Sequence, residues 1–329
     1  MRAIITGIGH YVPDKILSNS DLEKIVYTND EWITSRTGIK ERRILDKEKG
    51  TSYMATRAAE VVLKETQTSP DELDLILLAT VTPDMPVPAA ASFIQRNLGA
   101  TNSWGYDING GCTGFIYALA TGAQFIESGR HKKVLVIGAD KMSAITNYED
   151  RSTCILFGDA AGAVLLEPSV GNSSGIEDFI LHLDGSGAES LKIEAGGSLY
   201  PASHETVDQK LHYLWQDGKT IFKHAVNGMA DVSVKIMERN KLTEKDITFF
   251  IPHQANFRII DAAAKKIGLD ASRVIINVDK YGNTTAATIP LAMSETYRDK
   301  KLKKGDWVVL AAFGAGYTWG SVLLRWAID

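Results

Sequence analysis

Short apolar runs alternate with amphipathic segments along this chain. Runs of this kind lie within residues 71–80, 134–140, 244–253 and 308–314. Continuous apolar runs are typical of strands that helices cover on both faces of a sheet. Between two of them, residues 115–126 carry apolar side chains at helical spacing. The alternation predicts an α/β fold.

The same order of elements occurs twice. Three pairs of similar segments lie about half a chain length apart, namely 71–80 with 244–253, 94–100 with 263–269, and 134–140 with 308–314. In this alignment Cys112 corresponds to Asn283. The repetition predicts a duplicated α/β unit whose two halves pack as one body.

Local signals mark two further segments. Thr28 and Glu31 form a capping-box pattern that predicts the start of a helix, and Gly38 is placed to end it. Residues 169–219 are rich in glycine, serine and polar side chains. This composition predicts loops and hairpins over the surface near the site.

Composition excludes several classes of protein. The chain has 329 residues, of which 44% are hydrophobic and 23% charged, so it is long enough to bury a large core. Two cysteines are too few for a disulfide scaffold and favour a reducing, cytoplasmic location. There is no apolar run long enough to span a membrane and no signal-peptide pattern. The net charge of -4 predicts no nucleic-acid partner.

Cys112 is the first candidate for chemistry. It follows Gly110 and Gly111, directly after an apolar stretch and before an amphipathic run. This order predicts a strand, a tight turn, a nucleophile and a helix, with the thiol in the first helical turn, where free N–H groups and the helix dipole lower its pKa. The alternative for an isolated cysteine is a buried structural residue. We assign that alternative to Cys154, which lies inside an apolar run.

Three other positions are candidates to act with the thiol. His253 directly follows an apolar strand, at the strand edge where open α/β sheets bind ligands. Asn283 occupies the position of Cys112 in the second half, although a Gly-Asn pair is also a common turn. Gly314 to Gly316 follow another strand and allow close approach of backbone N–H donors to an oxyanion. A phosphate loop is the competing interpretation, but no GxxxxGK[ST] motif occurs.

Several motifs in fixed order resemble one known family over essentially the whole chain. They are GIGHYVPDKILSN, NDEWITSRTGIKERR, DINGGCTGF, DRSTCILFGDAAGAVLLEP, PHQAN, YGNTTAATIP and FGAGYTWGSVLLRW. The chain closely resembles the 3-oxoacyl-(acyl-carrier-protein) synthase III family, the initiating ketosynthases of type II fatty acid synthesis. The resemblance implies a thiolase-like fold, in which duplicated βαβαβ halves, here 1–170 and 171–329, pack as α/β/α/β/α layers.

The resemblance also implies an activity and a catalytic set. Cys112, His253 and Asn283 match the catalytic cysteine, histidine and asparagine, and elongating ketosynthases carry a second histidine in place of the asparagine. The implied reaction is a decarboxylative condensation of an acyl-CoA primer with malonyl-acyl carrier protein, through an acyl-cysteine. The N–H groups of Cys112 and Ala315 are the implied oxyanion donors. No metal or other cofactor is implied.

Binding residues and partners follow from the same resemblance. Residues implied to contact CoA or the phosphopantetheine arm are Trp32, Arg36, Arg151, Phe222, Ala255 and Asn256. Arg258, with Lys223, Lys265 and Lys266, is implied to offer a basic rim to the acidic carrier protein, although surface lysines are as often simply solvated. Val87 is placed near the acyl pocket, across the interface of an implied homodimer.

The chain departs from common family patterns at a few positions. Gly110, Gly111 and Thr113 surround the cysteine where alanines are frequent, Ala315 replaces the middle glycine of the last loop, and Lys219 replaces a common tunnel asparagine. Two alternatives stay open. One is a related ketosynthase or acyltransferase of secondary metabolism. The other is a non-catalytic scaffold subunit, which the retained Cys112 disfavours.

Overall fold

The computed structural model describes residues 1–169, 171 and 174–329. Its strands are β1 (Ala3–Tyr11), β2 (Ile16–Ser18), β3 (Glu41–Arg43), β4 (Leu75–Ala79), β5 (Trp104–Ile108), β6 (Val134–Lys141), β7 (Asp159–Pro168), β8 (Gly175–Leu183), β9 (Leu191–Lys192), β10 (Trp215–Gln216), β11 (Phe249–Pro252), β12 (Trp307–Gly314) and β13 (Thr318–Arg325). Its helices are α1 (Asn19–Leu22), α2 (Asp30–Thr37), α3 (Thr51–Thr66), α4 (Ala90–Leu98), α5 (Gly114–Glu127), α6 (Arg151–Cys154), α7 (His204–Asp208), α8 (Gly218–Arg239), α9 (Phe257–Ile267), α10 (Val278–Tyr281) and α11 (Thr288–Arg298).

Two larger sheets repeat one strand order. The first sheet runs β1-β7-β6-β4-β5, and the second, read in the same sense, runs β8-β13-β12-β11. In the first sheet β4 is parallel to β6, and in the second β11 is parallel to β12. The next pairings, β6 with β7 and β12 with β13, are antiparallel. The duplication predicted from the sequence is therefore confirmed.

The halves differ at one edge. In the first sheet β5 pairs with β4 over its whole length. In the second sheet, the segment at Val274 lies beside β11 but makes only a single bridge with it, between Phe250 and Val274. The first sheet therefore ends in a full edge strand, β5.

Helices separate and cover the two sheets. Helices α5 and α11 lie between the sheets, where Phe115 and Met293 share one core with Leu77 and Leu310. Helices α3 and α4 cover the outer face of the first sheet. Helices α8 and α9 cover the outer face of the second. The predicted α/β/α/β/α layering is thus confirmed, and it explains the continuous apolar runs, because each sheet is buried on both faces.

The cap of α2 lies one residue later than predicted. Asn29, not Thr28, is the N-cap, and its side chain accepts a hydrogen bond from the Trp32 N–H at 2.8 Å. Asparagine is the stronger capping residue, which explains the shift. Gly38 ends the helix in the left-handed conformation, at φ 79°, as predicted.

The prediction of loops over 169–219 was wrong for its first part. β8 is a nine-residue strand that pairs with β13. It lies at the edge of its sheet, half-buried, and this environment accepts the polar side chains that suggested a loop. After it come a 3-10 turn, the short β9–β10 pair and α7. The predicted boundary between halves falls at Val170, which, like Asn172 and Ser173, lies outside the described residues.

Within the described ranges 1–169, 171 and 174–329, no helix combines the length and the apolar character that crossing a bilayer requires.

Candidate active site

One cavity of about 380 Å³ gathers the residues that the sequence singled out. Cys112, His253 and Asn283 all line it, although they come from distant stretches of the chain. His253 follows β11 and Cys112 follows β5, so both are placed by the carboxyl ends of strands in parallel pairs. This is the edge at which α/β sheets bind ligands.

Cys112 lies in a tight turn between β5 and α5. The turn is a single 3-10 turn over Gly111–Thr113, and α5 begins only at Gly114. Gly111 has φ +55°, a left-handed conformation that favours glycine. The thiol therefore precedes the helix instead of lying inside its first turn, and the residue is 9% exposed.

The predicted low pKa of the thiol was wrong. Burial raises the pKa of Cys112 to about 12, and the nearby Asp140 carboxylate raises it further. Desolvation penalises the thiolate more than the turn's N–H groups stabilise it. In the protein without substrate, Cys112 is therefore a neutral thiol.

Asp140 is a buried carboxyl group that the sequence analysis missed. It ends the VLVIGAD run, and burial raises its pKa to about 6. One oxygen accepts hydrogen bonds from the Thr80 hydroxyl at 2.9 Å, the Val81 N–H at 2.8 Å and the Thr82 hydroxyl at 3.0 Å. The other accepts from the Ala286 N–H at 3.0 Å. Asp140 thus fastens the segment after Asn283 to the first sheet.

Asp140→Asn is expected to lower the pKa of Cys112, because it removes the charge that opposes the thiolate. The measurement is the pH dependence of thiol alkylation by iodoacetamide, read by intact mass. Asp159→Asn is the matched control. Asp159 is also buried, but its carboxylate accepts hydrogen bonds from the Ser143 hydroxyl and the Leu45 N–H. An unchanged alkylation profile in Asp140→Asn, or equal shifts in both variants, would contradict the assignment.

His253 is buried and electrically neutral. Its backbone N–H donates to the Ala311 carbonyl at 2.8 Å, which fixes the residue at the end of β11. In the ring, Nδ1 is 2.7 Å from the Thr288 hydroxyl oxygen, so Nε2 is the nitrogen left for the cavity. Burial lowers the pKa of His253 to about 3. The imidazole is hydrogen-bonded to Thr288 and not to the Cys112 thiol.

Both backbone polar groups of Asn283 are hydrogen-bonded. Its N–H donates to the Leu156 carbonyl at 2.8 Å, and its carbonyl accepts from the Gly158 N–H at 3.1 Å. Its side-chain Oδ1 accepts from the Thr285 N–H at 2.9 Å. The amide nitrogen, which can only donate, is therefore the end available to a ligand in the cavity.

A buried arginine supports the segment that carries Asn283. Arg42 donates to the Ile155 carbonyl and, at 2.7 Å, to the Asn19 side-chain oxygen. It is fully buried, and burial lowers its pKa to about 10. The guanidinium ties β3 and α1 to the segment 155–158 between α6 and β7, and this segment hydrogen-bonds the Asn283 backbone. The sequence gives no sign of this role, because it depends on contacts between distant segments.

The loop after β12 packs against the cysteine turn. A Cβ on Gly314 would lie 2.7 Å from the backbone nitrogen of Cys112 and 3.1 Å from that of Thr113. A Cβ on Gly111 would in turn lie 3.2 Å from the nitrogen of Ala315. Glycine at 111 and 314 allows the two turns to meet, and Ala315 lines the cavity beside them.

Residues predicted to contact the pantetheine arm lie on the cavity wall. Phe222, Ala255 and Asn256 line it. The Arg258 guanidinium lies 5.7 Å from the centre of the Phe222 ring. The Asn256 amide donates to the Arg36 carbonyl at 3.2 Å, which joins α9 to α2.

Other predicted residues lie outside the cavity. The Arg151 guanidinium stacks over the Trp32 ring at 4.6 Å, and Arg36 is exposed on the same helix as Trp32. Val87 is 81% exposed and does not line the cavity of its own chain. Its acyl-pocket role therefore stays a prediction. Cys154 is buried among Leu22 and Ile33, as expected of a structural residue.

Much of the remaining wall is apolar, and the polar residues Asn109, Lys192, Gln216 and Thr285 complete it. The apolar side chains come from loops as well as from regular elements. They include Val81, Met142, Ile145, Leu191 and Leu214. Their arrangement gives the thiol an apolar surrounding, and this explains the high pKa of Cys112.

Comparison with known proteins identifies the family of this chain. The family models for 3-oxoacyl-(acyl-carrier-protein) synthase III and for its C-terminal part match residues 106–185 and 237–326. A beta-ketoacyl-(acyl-carrier-protein) synthase III of Chlorobium chlorochromatii is 55% identical, over 99% of this chain and 100% of its own length. This chain belongs to the 3-oxoacyl-(acyl-carrier-protein) synthase III family.

Solved structures place family members on the same fold. The 3-oxoacyl-(acyl-carrier-protein) synthase III of Aquifex aeolicus has a TM-score of 0.91 and 45% identity, over 98% of this chain and 100% of that one. A priming beta-ketosynthase of the R1128 polyketide pathway has a TM-score of 0.90 and 31% identity, over 99% and 96% of the two chains. The thiolase-like fold and the prediction of an enzyme, a condensing acyltransferase that initiates fatty acid synthesis, are confirmed at the level of the family.

Proposed function

We propose that this synthase III family member condenses an acyl-CoA primer with malonyl-acyl carrier protein to give a 3-oxoacyl carrier protein. The observation that carries the proposal is the meeting of Cys112, His253 and Asn283 on one cavity. A nucleophilic sulfur and two neutral hydrogen-bond donors are what the two half-reactions need.

The first half-reaction transfers the acyl group to Cys112. The Cys112 sulfur attacks the thioester carbon, the bond from that carbon to the CoA sulfur breaks, and the thiol proton ends on the departing CoA. The transfer of the acyl group therefore consumes no proton and releases none. Because the free thiol has a high pKa, ionisation is expected to accompany substrate binding instead of preceding it.

The second half-reaction forms the carbon–carbon bond. The malonyl group loses carbon dioxide, the carbanion attacks the acyl carbon, and the Cys112 sulfur leaves and takes up one proton. Negative charge accumulates on the malonyl thioester oxygen as carbon dioxide departs. The Asn283 amide and an N–H of the neutral His253 ring would stabilise it there. Thioester cleavage and release of carbon dioxide drive the reaction, so the proposal includes no cofactor.

A second oxyanion forms on the acyl carbonyl oxygen, both when the Cys112 sulfur attacks the primer thioester and when the carbanion attacks the acyl-cysteine. We assign its stabilisation to the backbone N–H groups of Cys112 and Ala315. The support is the close packing of the two glycine-containing turns that carry these groups.

Gly314→Ala tests this assignment. The added methyl group would lie 2.7 Å from the Cys112 nitrogen, so the turns must separate and the donors lose their alignment. We expect condensation to fall by about 10²-fold, the usual effect of losing one oxyanion donor. The rate of product formation is the measurement. Gly185→Ala is the control, because a Cβ added there would meet no atom within 4 Å. Condensation at the parent rate in Gly314→Ala would contradict the assignment of the Cys112 and Ala315 N–H groups as oxyanion donors.

The substrates reach the thiol along the predicted binding residues. Phe222, Ala255 and Asn256 would line the path of the pantetheine arm, and the stacked Trp32 and Arg151 would hold the adenine and phosphate end of CoA. Arg36 belongs to the same proposed surface. Arg258, beside Phe222, would meet the acidic carrier protein, with Lys223, Lys265 and Lys266 around it.

A homodimer is part of the proposal. β5 is an edge strand of the first sheet, and edge strands tend to pair or to be covered. Trp104 on β5 is half-exposed and packs with Tyr106, Phe125 and His131 in an aromatic cluster. Val87, exposed in one chain, would then be available to the acyl pocket of a partner.

Sedimentation equilibrium tests the dimer. At micromolar concentration the expected mass is twice that of the chain, because pairing of β5 with its copy covers the aromatic cluster. A monomer at these concentrations would contradict the proposal and would remove the acyl-pocket role of Val87. A cytoplasmic location is also proposed, and the two free cysteines are compatible with it.

The deciding experiment follows the malonyl carboxyl group. The protein is incubated with an acyl-CoA primer and malonyl carrier protein labelled at that carboxyl carbon. Label released as carbon dioxide, with formation of 3-oxoacyl carrier protein, is the expected result. Acyl transfer with retained label would indicate a simple acyltransferase instead. Condensation that requires malonyl-CoA in place of the carrier would favour a ketosynthase of secondary metabolism.

A further inference from the structure

The turn that follows Asn283 also holds the imidazole of His253. Thr288 is the first residue of α11 and is buried. Its hydroxyl oxygen lies 2.7 Å from Nδ1 of His253 and 2.9 Å from the carbonyl oxygen of Thr285. A hydroxyl has one proton, so it can donate to only one of these two acceptors at a time.

The choice decides which ring nitrogen of His253 carries the proton. If the hydroxyl donates to Nδ1, the neutral ring is protonated on Nε2, and Nε2–H is a donor toward the cavity. If the hydroxyl donates to the Thr285 carbonyl instead, Nδ1 is protonated, and Nε2 is only an acceptor. An acceptor cannot stabilise a developing oxyanion.

One observation favours donation to Nδ1. The Thr285 carbonyl already accepts the backbone N–H of Thr288, so it has a hydrogen-bond partner without the hydroxyl proton.

We propose that Thr288 is a positioning residue that donates to Nδ1 and so holds His253 in the Nε2–H form needed to stabilise the enolate. The Thr285 N–H acts in parallel on Asn283, since it binds Oδ1 at 2.9 Å and leaves the amide nitrogen for the cavity. One turn, residues 283–288, thus orients both hydrogen-bond donors. The proposal rests on the proposed condensation, but it makes a claim about the resting protein that can be measured without substrate.

The first test reads the protonated nitrogen directly. Protein labelled with ¹⁵N in its histidine rings is examined by NMR, and the His253 signals are assigned by their absence in His253→Gln. In the parent protein we expect a proton on Nε2 and a bare Nδ1. A proton on Nδ1 would overturn the proposal even if the enzyme condenses normally, so this result is independent of the proposed function.

The second test separates hydrogen bonding from packing. Thr288→Val keeps the shape of the side chain and removes the hydroxyl, and Thr288→Ser keeps the hydroxyl. We expect Thr288→Val to lower malonyl decarboxylation at least tenfold, with self-acylation by acyl-CoA within about threefold of the parent. Thr288→Ser should stay within about threefold in both half-reactions.

Two outcomes of the kinetic test would overturn the proposal. One is decarboxylation at the parent rate in Thr288→Val. The other is an equal loss of both half-reactions in the serine and valine variants, which indicates packing alone. Thermal melting of each variant shows whether it folds, and the NMR result on the parent protein decides the matter if Thr288→Val does not.

Discussion

Cys112→Ala abolishes the acyl-enzyme. After the parent protein is mixed with acetyl-CoA, intact mass is expected to increase by one acetyl group, and the alanine variant is expected to show no increase. The reason is chemical, because Cys112 supplies a thiol to the cavity that His253 and Asn283 also line. Condensation should fall to background, since without the covalent intermediate the primer is not held for attack.

Cys154→Ala is the matched control for this experiment. Cys154 is the second free cysteine, is also buried, and has a pKa raised by burial to about 11. It packs beside α1 and α2 and does not line the cavity. The control should therefore acylate like the parent. If Cys112→Ala formed as much acetyl adduct as the parent, another residue would be the nucleophile, and the proposed reaction would be contradicted.

Asn283→Ala separates the two half-reactions. Acyl transfer to Cys112 should continue, because its oxyanion is assigned to the backbone donors of Cys112 and Ala315. Loss of carbon dioxide from malonyl carrier protein should fall by at least about 10²-fold, because the enolate oxygen loses the Asn283 amide donor. Adduct formation by mass and release of labelled carbon dioxide are measured on the same protein.

Asn277→Ala distinguishes catalysis from stability in this experiment. Asn277 is also a buried asparagine, but it does not line the cavity. Its side-chain amide donates to the Glu295 carboxylate at 2.7 Å. Its replacement should lower the melting temperature and leave decarboxylation per folded protein unchanged. If Asn283→Ala releases carbon dioxide at the parent rate, or if both half-reactions fall together, the role assigned to Asn283 is wrong.

The ionisation of Cys112 shows what local reasoning missed. The sequence places the thiol near a helix start, and a helix start favours a thiolate. The folded protein surrounds the thiol with apolar side chains and places Asp140 nearby, and both raise its pKa. Neither effect is visible in the local sequence, because the apolar wall and the carboxyl group come from other strands and loops.

The positions of His253 and Asn283 were predictable for a different reason. A residue at the end of an apolar strand is fixed by that strand, so the order of strands places His253 at the cavity. Asn283 could be found because the chain repeats, and the repeat assigns it the place of Cys112. The supporting residues Arg42 and Thr288 could not be found in this way, since each acts through contacts between segments far apart in sequence.

The apolar periodicity and the internal repeat by themselves determined the α/β class, the duplicated sheets and the edge at which chemistry occurs, because strand burial leaves a regular trace in sequence. The motifs added the family. Only the tertiary structure decided the protonation state of Cys112, the hydrogen bonds that orient His253 and Asn283, and the membership of β8 in the second sheet. These depend on desolvation, on single-atom distances and on edge-strand exposure, which arise only when remote segments pack together.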